Sequence, residues 1–159
     1  MSVSYTHLII SHSMGHGRYD EMSAADVVAD ATAAKTYLET QLCVDTAYIR
    51  PPYGACGEQT SAALRQAGFV PVRWSVDSMD WKGEDAGAVT SRVISAASPG
   101  GIVVFQNNQE NTVAALPDII DKLKDLGYGF SSVSQMVLRE NYALSDAGQQ
   151  SPQQAAEGE

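Results

Sequence analysis

At 159 residues the chain has room for one ordinary domain and too little for two. Its apolar content of 44% suits a globular core, while 19 acidic against 10 basic residues leave a net charge of −9. That balance argues against nucleic acid and anionic membrane surfaces as partners. No apolar run is long enough to span a bilayer, and the first residues lack the charged, apolar and small-residue regions of a secretory signal. Cys43 and Cys56 have no C-x-x-C spacing, so free thiols are expected, with an oxidised pair open if the protein is exported.

In chain order, residues 1–8 are polar and unpatterned, and Ile9-Ile10 leads into His12-Ser-Met-Gly-His16. Ser23 reads as an N-cap with Asp26 as its capping-box partner, opening a helix from Ala24 to about Leu42. Ala47–Ile49 is a short strand stopped by Arg50-Pro-Pro-Tyr-Gly54. A helix over Glu58–Gln66 ends at Gly68, and Val70–Val76 reads as one strand that empties into Asp77-Ser-Met-Asp-Trp81. A helix over Ala86–Ala97 leads to the strand Ile102–Phe105, a polar loop Gln106–Asn111, and a helix from about Thr112 to Leu126. In that helix Pro117 is expected to delay the start or kink the axis. Tyr128–Val133 reads as a last short strand, followed by a helical turn to Leu138, and 140–159 as a disordered tail.

Strands alternating with helices and no hairpin signals predict a parallel α/β sheet, open or part of a barrel. In such folds functional side chains collect where strands end, and each polar cluster above sits at such an end. His12 and His16 are four apart, a spacing that brings two imidazoles to one point across a helical turn and that divalent metals use.

His12-Ser-x-x-His16, Arg50-Pro-Pro-Tyr-Gly54, Asp77-Ser-x-Asp80-Trp81, and an apolar strand before Asn107-Asn-x-x-Asn111-Thr112 occur in order. Together they resemble the motifs of the polysaccharide deacetylases, the carbohydrate esterases with the NodB-homology domain. The likeness covers residues 9 to about 139. Trp74–Lys82, and Glu110–Pro117 with Lys122–Gly127, are similar to the branch found in spore-forming and clostridial bacteria.

The resemblance implies a distorted (β/α) barrel of about seven strands, of which about five are present. It also implies removal of acetyl groups from N-acetylated sugars of peptidoglycan, chitin or a related polymer, outside the cell or in its envelope. His12 and His16 would be two of three protein ligands to a divalent metal, commonly zinc. The Tyr53 backbone N–H would meet the oxyanion, Arg50 would hold a catalytic carboxylate, and Asp80 would orient a general-acid histidine. Pro52, Tyr53, Trp81 and Phe105 would line the sugar groove. Read singly, Arg50 is as well explained by a surface ion pair, Asp77 or Asp80 by a helix N-cap, and Trp81 by packing.

Two departures weigh on activity. The family's first motif, a Thr-Phe-Asp-Asp-Gly-like strand end with the catalytic base and third metal ligand, is absent, since residues 1–11 hold no Asp or Glu. The general-acid histidine falls at Gln106, which cannot exchange a proton near neutral pH. Val3–Leu8 resembles a translated sequencing adapter, so residues 1–8 are expected to be a non-native leader on a 5′-truncated reading frame, with His7 coincidental. The metal site is then incomplete and the chain inactive. The alternative is a catalytically dead homologue that binds glycan through the retained groove.

Overall fold

The computed structural model describes residues 8–145 and 149–153, and these divide into two compact units. In the larger, Ile9–Tyr128, two strand–helix–strand units follow one another. The first runs β1 (Tyr48–Ile49), α2 (Glu58–Gln66), β2 (Val70–Pro71), and the second β3 (Val76–Asp77), α3 (Ala86–Ala96), β4 (Val103–Val104). β1 pairs with β2 and β3 with β4, both parallel, as expected for strands joined by a helix. Ser11 adds a single parallel bridge to Ile49, closed by Ser11 N–H to Tyr48 O and Arg50 N–H to Ser11 O.

α1 (Ala24–Leu42) begins where Ser23 Oγ accepts from the Asp26 N–H and ends at Cys43 in the left-handed region. Its Val27 and Ala31 pack with Tyr19, Ile49, Leu64 and Phe69 in one core cluster. A second cluster joins Val89 and Val93 of α3 to Ala115, Ile119 and Leu123 of α4 (Glu110–Asp125). Asp85, rather than Asp77 or Asp80, caps α3, accepting from the Ala88 N–H at 2.9 Å. Both cysteines are free, Cys43 exposed and Cys56 half-buried.

Several elements differ from expectation. Val70–Val76 is two strands, because Arg73-Trp74-Ser75 breaks the run and its halves pair with different partners. Val72 N–H reaches Ile49 O, whereas Ser75 and Val76 N–H both reach Ile102 O. α4 starts before Thr112 despite Pro117. The exposed proline removes only the bond to the Val113 carbonyl, at a residue 72% exposed, where water can serve that oxygen.

Residues 128–131 form no strand; Ser132 instead caps α5 (Val133–Met136) in a capping box with Gln135. From Gly129 on, this segment belongs to the second unit, as does the stretch expected to be disordered. Within that stretch β5 (Tyr142–Leu144) pairs antiparallel with β6 (Gln150–Pro152). Low periodicity hid a hairpin whose register is set by Ser145 N–H to Gln149 O and Gln153 N–H to Asn141 O. The leader expected over 1–8 lies, except for Leu8, outside the described residues. No helix of the described residues is long and apolar enough to cross a membrane.

Candidate active site

The strand ends carry the predicted clusters in two groups. The first joins the Ser11 bridge to the end of β1. His12 Nδ1 lies 2.6 Å from the Arg50 carbonyl, which can only accept, so the proton sits on Nδ1. In the neutral ring Nε2 then keeps its lone pair, the arrangement by which metal-binding imidazoles are oriented. The His12 and His16 rings stand edge to face with centroids 5.0 Å apart, and His16 Nδ1 is 3.2 Å from Tyr53 Oη.

The two imidazoles do not meet across a helical turn. The segment is a loop in which Ser13 (φ 75°) and His16 (φ 53°) are left-handed, with the His16 N–H donating to Ser13 Oγ at 2.9 Å. Each such non-glycine residue costs about 1–2 kcal/mol, and Tyr53 (φ 59°) and Met79 (φ 55°) at the neighbouring strand ends add to that cost. Backbone strain of this kind gathers where surrounding bonds over-determine a loop.

Much of that determination comes from Asp30 on α1, which sequence reasoning passed over. Its Oδ1 accepts from Gly15 N–H at 2.9 Å, and its Oδ2 accepts from Met14 N–H at 3.1 Å and Tyr19 Oη at 2.8 Å. Burial pushes the Asp30 carboxyl up, but hydrogen bonds from Ser13, Tyr19, Gly15 and Met14 outweigh it and hold the carboxyl below its ordinary value. Burial, then the Asp30 bond, raises the Tyr19 phenol well above its usual range, so Tyr19 stays a donor. Because the folded-state value of Asp30 is the lower one, the unfolded chain binds more protons, and this contribution to stability grows with pH. It is fully present above the ordinary aspartate value of about 3.9 and lost as pH falls through the folded value. The melting-temperature gap between wild type and Asp30→Asn is therefore expected to close on acidification below about pH 4, measured by circular dichroism.

Arg50 is half-buried, its guanidinium 5.9 Å from the Trp74 ring centroid, and burial lowers its pKa. Its Nε is buried without a hydrogen-bond partner, and no ion pair of the described residues involves it, so the surface-pair reading fails. Pro51 and Pro52 are buried and shape the turn, so Pro52 presents no face to a ligand. The turn closes through Gly54 N–H to Pro51 O and Ala55 N–H to Pro52 O, bonds in which the Tyr53 N–H takes no part. The Tyr53 side chain is 59% exposed beside His16.

The second group joins the ends of β3 and β4. Asp80 is 1% exposed; its Oδ2 accepts from the Gln106 N–H at 2.9 Å and from the Thr112 hydroxyl, while Oδ1 is buried and unpartnered. Arg92 of α3 holds this loop by donating to Ser78 O at 2.8 Å and pairing with Glu84, whose carbonyl accepts from Asn111 Nδ2. Thr112 and Asn111 thus acquire roles that their motif alone did not specify. Trp81 is 54% exposed with Lys82 Nζ 5.5 Å from its ring centroid, so it is not interior packing. Phe105 packs partly against the second core cluster, and Gln106 is exposed. Each group is bonded internally; no hydrogen bond or ring contact of the described residues links the His12 group to Asp80.

The two imidazoles would supply at most two ligands to a divalent cation. Among the described residues no third His, Cys, Asp or Glu completes a set of three.

Comparison with known proteins bears on the family and the fold. A family model for polysaccharide deacetylase matches residues 2–72. The chain is 32% identical over 130 residues to the peptidoglycan-N-acetylglucosamine deacetylase PgdA of Listeria monocytogenes, covering 82% of this chain and 27% of that protein. A peptidoglycan-N-acetylglucosamine deacetylase of Bacillus cereus is 28% identical, covering 82% and 49%. A solved peptidoglycan N-acetylglucosamine deacetylase in complex with an N-oxidanyl-benzamide is 30% identical, with a TM-score of 0.71 over 82% of this chain and 63% of that one. The chain therefore spans between about a quarter and two thirds of the length of these proteins. With a mixed α/β architecture that superposes on part of their distorted barrel, the chain belongs to the polysaccharide deacetylase family.

Proposed function

We propose that the domain represented here acts on acetylated glycan of the bacterial wall, outside the cell membrane, with N-acetylglucosamine of peptidoglycan as the sugar and His12 and His16 as ligands to a divalent metal, zinc for choice. The observation that carries this is the His12 ring, fixed through Nδ1 by the Arg50 carbonyl with His16 at 5.0 Å, which leaves Nε2 as a free donor beside a second imidazole. When bound, the metal supplies Lewis-acid polarisation of the acetyl carbonyl and of an attacking water. The Tyr53 N–H, outside its own turn's hydrogen bonds, is suited to receive the developing oxyanion. The exposed Tyr53 and Trp81 rings offer apolar faces to a sugar, and the acidic surface suits an uncharged glycan better than a polyanion.

Gln106 has no acidic proton to give a leaving amine, and among the described residues Arg50 pairs with no carboxylate. Both points support a second reading, in which the chain holds glycan without turnover. Acetate release from a chitin oligomer or N-acetylated peptidoglycan with added zinc or cobalt is expected to stay at background. A robust rate would overturn the inactivity assigned to this chain. Retention on the glycan at background rate selects the binding reading, and a lack of retention removes it.

A further inference from the structure

We infer that Asp30 is a positioning residue for the His12–His16 loop, acting through the backbone of Met14 and Gly15 rather than on any ligand directly. The inference rests on the metal reading of His12 and His16 given above. An aspartate in the middle of a helix is a poor helix former, and a partly buried carboxylate is unfavourable unless its oxygens are bonded. Asp30 sits mid-α1, one position before the buried Ala31, where neither capping nor an ion pair explains it.

Its bonds all go to one place. Met14 and Gly15 donate backbone N–H groups, and Tyr19, fully buried, donates its hydroxyl from the far side of the loop. Ser13 Oγ in turn accepts from the His16 N–H at 2.9 Å. Asp30 thereby fixes Met14 and Gly15, two of the three residues between the imidazoles, with no hydrogen bond to either ring among the described residues. The fit is close: a Cβ on Gly15 would lie 3.3 Å from Asp30 Oδ1. Without the carboxylate, no hydrogen bond from α1 among the described residues holds Met14 and Gly15, so Ser13 and His16 can relax out of the left-handed region and the edge-to-face placing of the imidazoles is lost.

The test is Asp30→Asn, which keeps size but turns an amide N–H toward the loop's donors. Two readouts apply. One is cobalt affinity by calorimetry, expected to weaken about 10–100-fold, as for other groups that orient a ligand. The other needs no metal: the low-field Nδ1 proton of His12, held by Arg50 O in the wild type, is expected to broaden in the variant by nuclear magnetic resonance. The far-UV circular dichroism should stay that of wild type. An unchanged affinity and an unchanged His12 signal overturn the inference. If Asp30→Asn does not fold, Tyr19→Phe decides instead; it removes one donor and should weaken cobalt about fivefold, and no change there overturns the inference. Wild type that binds no cobalt sinks the metal reading, and with it the ligand-aiming role, whatever the His12 signal does. Wild type that binds, with variants unchanged, sinks this inference alone.

Discussion

Asp80→Ala is expected to lower the unfolding free energy by about 3 kcal/mol, because it strips the Gln106 N–H and the Thr112 hydroxyl of their shared acceptor. Asp80 is 1% exposed, and its Oδ2 takes both the Gln106 N–H and the Thr112 hydroxyl. Truncation leaves those two donors without a partner and opens a void between the ends of β3 and β4. Asp80→Asn separates acceptor loss from charge loss. Its carbonyl can keep both donors, and removing a charge whose Oδ1 is buried and unpartnered offsets the amide left there, so the change should be within about 1 kcal/mol. Urea unfolding of both variants checks this. An alanine variant as stable as the asparagine one would show that the Oδ2 bonds contribute little.

Gly54→Ala is expected to cost about 2–3 kcal/mol, the sum of a left-handed backbone and an overfilled contact. Gly54 has φ 66°, and a Cβ there would stand 3.0 Å from the Trp74 ring. Trp74 is the ring beneath Arg50, so the substitution should also disturb the guanidinium and the Tyr53 turn. Gly68→Ala is the control: φ is 85° with nothing near the added carbon, so only the backbone penalty of about 1 kcal/mol applies. Equal losses at the two positions, measured by thermal unfolding, would mean that the Trp74 contact yields freely.

What the sequence made legible was local. Ser23 and Asp26 announce α1 because a cap and its partner are three residues apart, and Leu42 ends it as expected. The motif residues at strand ends were likewise visible, since each follows an apolar run. Besides the β5–β6 hairpin and the missing strand at 128–131, three things were not. Val70–Val76 looks continuous because the break at Arg73–Ser75 depends on which strand each half pairs with, and pairing is non-local. The loop geometry of His12 and His16 was read as a helical turn because spacing carries no φ sign, and two non-glycine residues with positive φ leave no mark in composition. Asp30 escaped because its partners are backbone groups 15 and 16 positions upstream. The one available signal was an acid midway along an alanine-rich helix, beside the Val27, Ala31 and Ala34 face.

The division of the sheet into two pairs bears on how the chain reaches this state. Each pair links strands one helix apart in the sequence, so either can close at the small entropic cost of a short loop without waiting for the other. With two residues per strand, a closed pair holds only a few ladder bonds, and its persistence depends on α1 settling on α2, or α3 on α4. Trp74, set beneath Gly54 and Arg50, ties the break between the pairs to the turn that carries Tyr53.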